Sequence, residues 1–196
     1  MIQTEQVIQE VKKMIKGKDT SICKVFAAML AGGHILIDDV PGVGKTTLAV
    51  AFSQAMQLEN HRVQFTPDVL PADILGFSMY QKETGQFVYY PGAVICNLFL
   101  ADEINRTSPK TQSALLEVME EGCVTVDGVT REMPEPFLVM ATQNPKGSAG
   151  TQLLPESQLD RFMICVSMGY PDVATEIEIA RGKKCVGGAG DNFPGH

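Results

Sequence analysis

Apolar residues recur at three- and four-residue steps near the start of the chain: Ile8, Val11 and Ile15, then, beyond Gly17, Ile22, Val25, Phe26 and Met29. That spacing predicts helical structure over 2–30, interrupted at the glycine. Gly32-Gly33 closes the segment, and a continuous apolar run over 34–38 reads as a first buried strand. Helical periodicity returns from Thr46 to about Met56, with Leu48, Ala49, Phe52 and Met56 on one face. Residues 61–65 have the β-branched and aromatic character of a short strand. The stretch 66–92 is punctuated by Pro and Gly. Within it Val69, Leu70, Ile74 and Leu75 suit a short helix after Pro67, and 79–81 and 86–89 flank Lys82-Glu83-Thr84-Gly85 as a hairpin. A third strand, 97–101, runs into Asp102-Glu103. Residues 109–121 form an amphipathic helix, with Ala114, Leu115, Val118 and Met119 inward and Glu117, Glu120 and Glu121 facing water. Asp127-Gly128 marks a second hairpin over 124–130. The runs 137–141 and 162–166 bring the buried strands to five. Strands alternating with helices predict an α/β fold whose parallel sheet is covered on both faces. Residues 182–196 have no periodicity and contain Gly187-Gly188-Ala189-Gly190, so they are expected to be disordered or loosely packed.

Composition narrows the function without naming it. The 196 residues suit one domain, and 44% hydrophobic with 20% charged residues is ordinary for a globular protein. A net charge of −7 argues against a general nucleic-acid-binding surface. No apolar run approaches the roughly 20 residues a membrane span needs, and the polar start Met1-Ile2-Gln3-Thr4-Glu5 lacks the layout of a signal peptide. Cys23, Cys96, Cys123, Cys165 and Cys185 are scattered, with no C-x-x-C pair, and the three histidines lie far apart. A zinc site is therefore not expected, Cys96 and Cys165 are expected to act as small hydrophobes, and the setting is expected to be cytoplasmic.

Chemistry enters at 35–49. An apolar strand, a Pro/Gly turn and a Lys-Thr-Thr opening a helix make a phosphate-binding loop: Pro41, Gly42, Val43, Gly44, Lys45, Thr46 and Thr47. Gly42 and Gly44 let backbone N–H groups converge on an anion at a helix N-terminus. Lys45 supplies a mobile positive charge for the outer phosphates, and the Thr46 hydroxyl is placed to ligate Mg²⁺. The strict pattern G-x-x-x-x-G-K-[ST] would have Gly at 39, where this chain has Asp39.

Hydrolysis needs more than phosphate binding. Four apolar residues ending in Asp102-Glu103 put Asp102 at the C-terminal edge of a parallel strand, where such sheets bind ligands. Asp102 would hold Mg²⁺ and Glu103 would polarise the attacking water. Asn144 ends another apolar strand and could orient that water, although Asn before Pro is also a plain turn signal. Arg161 at the mouth of the fifth strand reads either as a partner of Asp160 or another acid, or as an arginine finger for a neighbouring subunit's ATP.

Taken together, Gly33-His34, residues 39–46, Ala101-Asp102-Glu103-Ile104-Asn105-Arg106, Lys110-Thr111-Gln112-Ser113-Ala114-Leu115-Leu116-Glu117, Ala141-Thr142-Gln143-Asn144-Pro145 and the run 154–162 closely resemble the MoxR family of AAA+ ATPases over roughly residues 2–180. The resemblance implies a P-loop NTPase three-layer sandwich with a five-stranded parallel sheet. Residues 66–92 would be the helix-2 insert and 124–131 the hairpin before the sensor strand. It implies ATP and Mg²⁺ as ligands, and assigns P-loop lysine to Lys45, metal ligand to Thr46, acidic strand end to Asp102, catalytic glutamate to Glu103, sensor to Asn144 and arginine finger to Arg161. It also implies a hexameric ring, chaperone-like remodelling or maturation of a client protein complex, and a partner bearing a von Willebrand factor A domain. The family places a helical lid after the core, which residues 182–196 do not resemble. The expected organisation is therefore a core over 1–181 and an atypical tail over 182–196. Two readings stay open, an ATP-hydrolysing remodelling motor and a truncated nucleotide-binding interaction module with little or no turnover. A kinase or GTPase is disfavoured because an Asn-Lys-x-Asp guanine motif is missing.

Overall fold

The computed structural model describes residues 4–38, 45–143 and 154–169. Two helices, α1 (Thr4–Met14) and α2 (Asp19–Leu30), precede β1 (Ile35–Asp38) and α3 (Lys45–Met56). Then come β2 (Asn60–Gln64), α4 (Pro71–Leu75), and the hairpin β3 (Gly76–Gln81) and β4 (Gln86–Pro91). β5 (Leu98–Asp102) leads through a 3₁₀ turn, Ile104–Arg106, into α5 (Pro109–Glu121). A second hairpin, β6 (Cys123–Val126) and β7 (Val129–Glu132), precedes β8 (Leu138–Gln143), α6 (Glu156–Leu159) and β9 (Ile164–Val166).

Five strands form one parallel sheet in the order β2-β5-β8-β1-β9. Alternation along each strand divides the core. Ile35 and Ile37, Leu98 and Leu100, and Leu138 and Met140 face the layer of α1, α2 and α3, where they meet Val11, Phe26 and Phe52. Leu36, Phe99 and Val139 face the opposite layer, which holds Ile74 of α4 and Leu115 and Val118 of α5. Burial on both faces explains why β5 and β8 read as unbroken apolar runs, and it makes the domain a three-layer sandwich.

The elements start and stop where local chemistry dictates. Ser108 caps α5 by accepting the Thr111 N–H, Pro109 fits the first helical position, and Gly122 ends the helix at φ +65°. Asp127 and Gly128, at φ +53° and +74°, make the tight turn between β6 and β7. At the base of the first hairpin a Cβ on Gly92 would lie 2.1 Å from the Ile74 carbonyl oxygen, so only glycine fits there. The two hairpins touch through Arg131, whose guanidinium lies 3.7 Å above the Tyr89 ring.

Some expectations are corrected. The short helix of the insert opens at Pro71 rather than soon after Pro67, with the Leu70 N–H held by the Asp73 carboxylate at 2.8 Å. Ala114 is only half-buried, while Thr111, Gln112 and Leu116 join the inner face of α5. Cys165 is exposed, because β9 is an edge of the sheet with one neighbour. Cys96 is buried as expected. The tail, 182–196, lies outside the described residues. No described helix is long and apolar enough to cross a membrane.

Candidate functional site

Parallel pairing brings the C-terminal ends of β5, β8 and β1 side by side, and the candidate chemistry gathers there. Asp38 pairs with Gln143 at the ends of β1 and β8, and Ala101 pairs with Ala141, so Asp102 and Thr142 follow on adjacent strands. Lys45 opens α3 directly behind this edge. It is 7% exposed, and its Nζ donates to the Gln143 carbonyl at 3.3 Å. Thr46 and Thr47, in the same first turn, are half-buried.

The two acids are held by different partners. Asp102 Oδ1 accepts from the Thr142 hydroxyl at 2.6 Å, and Oδ2 accepts from Arg62 Nη2 at 2.7 Å. The next residue, Glu103, takes a left-handed backbone conformation, φ +57° and ψ +47°, which costs a non-glycine residue about 1 kcal/mol or more. Its N–H donates to Thr142 Oγ1 at 2.8 Å, and its carboxylate accepts from Arg106 Nη1 at 2.8 Å. One buried hydroxyl thus fixes both acids. The two carboxylates meet different partners, Arg106 for Glu103 and Arg62 with Thr142 for Asp102.

The edge also carries unmet hydrogen-bonding capacity. Asp38 Oδ1 and Gln143 Oε1 are buried and have no hydrogen-bond partner among the described residues. A buried ammonium, a carboxylate at a strand end and half-buried threonine hydroxyls are a donor and acceptor set that fits a metal-bound polyphosphate. Of the sequence-predicted loop, Pro41, Gly42, Val43 and Gly44 lie outside the described residues, as does Asn144.

Arg161 is not brought to this edge. It lies just before β9, whose first residue, Ile164, pairs with Ile35 at the start of β1. Arg161 therefore sits at the N-terminal edge of the sheet, whereas Asp38 lies about 10 Å further along β1 at the other end. Its Nη2 pairs there with Glu120 Oε2 at 2.7 Å, both side chains partly exposed. The local alternative weighed for this arginine is thus met by Glu120, from the end of α5, and not by Asp160. Beside that pair a cleft of about 680 Å³ is lined by His34, Glu120, Cys123, Glu132 and Met133 among others, apart from the strand-end chemistry. Burial holds the His34 imidazole below its ordinary pKa. Its Nδ1 accepts the Val139 N–H at 3.0 Å, so Nε2 carries the proton and donates to the Met119 carbonyl at 3.0 Å.

Sequence reasoning missed Arg62, and it assigned no role to Thr142 although the residue stands in Ala141-Thr142-Gln143-Asn144-Pro145. Both act on Asp102 across 40 positions of chain. The only local hint was a buried-type strand ending on a hydroxyl.

Comparison with known proteins bears on the family and the fold. A profile of the ATPase family associated with various cellular activities (AAA) matches residues 34–164. The chain is 51% identical over 174 residues to the uncharacterized protein YeaC of Bacillus subtilis, covering 89% of this chain and 54% of that protein. It is 46% identical over 175 residues to the chaperone MoxR1 of Mycobacterium tuberculosis, covering 89% and 46%. Against the protein MoxR of Methylorubrum extorquens the identity is 32% over 169 residues, covering 83% and 48%. The chain thus spans about half the length of the curated relatives it matches. A crystal structure of a candidate ATPase from Cytophaga hutchinsonii superposes with a TM-score of 0.80 at 44% identity, covering 90% of this chain and 54% of that one.

Proposed function

The chain belongs to the AAA family of ATPases, in its MoxR branch, and on that premise we propose that it binds and hydrolyses Mg²⁺-ATP to remodel or mature a partner protein complex. The observation that carries the reading is one of placement. Lys45, Asp102, Glu103 and Thr142 meet at one edge of the sheet, while Arg161 stands at the other. A chain so built cannot reach its own γ-phosphate with Arg161, but it can present that arginine to a second copy. A neighbour's Arg161 can then act on the γ-phosphate, which supports a closed ring, hexameric as in the family resemblance.

In this reading residues 41–47 cradle the phosphates, and Lys45 neutralises the outer ones. Thr46 and Asp102 would hold Mg²⁺, which supplies charge stabilisation between the phosphate oxygens. Glu103 accepts the proton of the attacking water, and Asn144 orients that water. Thr142 keeps both acids in place. Arg161 of the adjacent copy stabilises the charge that develops as the bond to the γ-phosphoryl group breaks.

The client side rests on the first hairpin. Phe77, Met79, Tyr80 and Phe87 are 49 to 73% exposed there, outside both cores. A cluster of that kind supports contact with a protein client or with a von Willebrand factor A domain partner. The same reading takes 1–181 as the ATPase core, 182–196 as a separate tail, and the cytoplasm as the setting. One observation favours the second reading, a nucleotide-holding module with little turnover: the Glu103 carboxylate is already engaged by Arg106.

The test is ATP hydrolysis per protomer across protein concentrations, with Arg161→Ala and Glu103→Gln alongside. Specific activity should climb with concentration, and Arg161→Ala should lower it by about 10³ or more, as for such fingers elsewhere. Bound ATP with flat turnover in all three proteins would favour the holding module instead.

A further inference from the structure

The carboxylate expected to serve the metal already has a cation on it. Arg62 reaches across from β2 and places Nη2 2.7 Å from Asp102 Oδ2. A second bond to Gln64 Oε1, at 3.2 Å, steadies the guanidinium above the strand end. The other carboxylate oxygen is taken by the Thr142 hydroxyl. Any cation, or water of its shell, that approaches Asp102 from the open side meets an oxygen that Arg62 holds. The two partners differ in freedom. The Asp102 side chain is 13% exposed and pinned by Thr142, whereas that of Arg62 is 49% exposed on an edge strand with solvent beside it. If one of them moves, it is the arginine.

We propose that Arg62 is a resident counter-ion of the nucleotide site. It neutralises Asp102 before ligand arrives, competes with Mg²⁺ for Oδ2, and swings towards the open edge of β2 when the metal–nucleotide takes its place. This inference rests on the reading of Asp102 as a metal ligand. The physical argument is linkage. A guanidinium and a divalent ion drawn to one carboxylate repel each other, so whatever stabilises the ligand-free form through Arg62 is subtracted from metal binding. Arg62 is on this account a positioning residue, and its removal should push two measurable quantities in opposite directions.

The experiment uses the full chain and its Arg62→Met and Arg62→Lys variants, with a slowly hydrolysed fluorescent ATP analogue as probe. Binding is titrated in Mg²⁺ and again in EDTA, and thermal unfolding is followed without ligand. Arg62→Met should lower the ligand-free Tm yet tighten Mg²⁺-dependent binding about three- to tenfold, the size of one partly exposed charged contact. Arg62→Lys keeps the charge and should bind as the parent does. In about 1 M KCl, where the Debye length shrinks to about 3 Å, the gap between parent and Arg62→Met should narrow. Unchanged or weaker Mg²⁺-dependent binding by Arg62→Met overturns the proposal. So does an equal loss in Mg²⁺ and in EDTA, which would make Arg62 a phosphate contact instead. A parent chain that binds the probe in neither condition would bring down the nucleotide reading itself, a result readily told apart from the others.

Discussion

Replacing Thr142 by Val tests whether one hydroxyl organises the candidate site. The side chain is fully buried, and valine keeps its shape. What disappears is a 2.6 Å donation to the Asp102 carboxylate and a 2.8 Å acceptance from the Glu103 N–H. A hydrogen bond to a charged group is worth about 1.5–3 kcal/mol net, and an orphaned part-buried N–H adds about 1 kcal/mol, so the loss should be about 2–4 kcal/mol. For a chain of this size each kcal/mol moves Tm by about 2–4 °C, giving a drop of roughly 5–15 °C. Thr142→Ser keeps the hydroxyl and gives up one methyl, at about 1 kcal/mol. The assay is urea and thermal unfolding of the three proteins, with ATP turnover measured on each. Turnover should fall further than nucleotide affinity in Thr142→Val, because Glu103 loses the anchor of its left-handed conformation. A valine variant within about 0.5 kcal/mol of the parent would refute the reasoning. A serine variant as weak as the valine one would refute it equally.

Two further outcomes follow from buried groups. His34 resists protonation in the folded chain because burial lowers its pKa. The unfolded chain therefore takes up the proton first, and stability should fall as pH drops through about 6.5 and keep falling until the folded histidine titrates. His34→Phe should flatten that part of the stability–pH curve in urea titrations while lowering stability at pH 8 by about 1–3 kcal/mol, since the Val139 N–H loses its acceptor; an unchanged slope would remove His34 as the cause. The Cys96 thiol is pushed up to about 11, chiefly by burial, so at pH 8 iodoacetamide should modify the exposed Cys23 well before Cys96. Peptide mass spectrometry over time reads the order, and equal rates at the two sites would contradict the burial of Cys96.

Much of this protein was legible along the chain. Helices, strands and both hairpins follow from the period of apolar residues and from single turn residues, because each depends on neighbours a few positions away. Asp127-Gly128 illustrates this, needing a backbone conformation that few residues adopt. The placement of Lys45, Thr46, Asp102 and Glu103 near one edge was legible for a related reason: each stands at or just past the junction of an apolar run and a polar turn, and in a parallel sheet the strand ends line up along one edge.

What the chain could not reveal by itself is who meets whom across the sheet. Strand order sets β5 between β2 and β8, and only that order lets Arg62 and Thr142 close on Asp102 from either side. Register sets Ile164 against Ile35, and with it puts Arg161 and Glu120 on the edge opposite Lys45. The exposure of Cys165 was likewise decided by β9 ending the sheet. Local sequence determines where a strand lies and which of its residues share a face. The energy that chooses its neighbour comes from burying whole faces against α1, α2 and α3 on one side and α4 and α5 on the other, and that sum exists only in the folded chain.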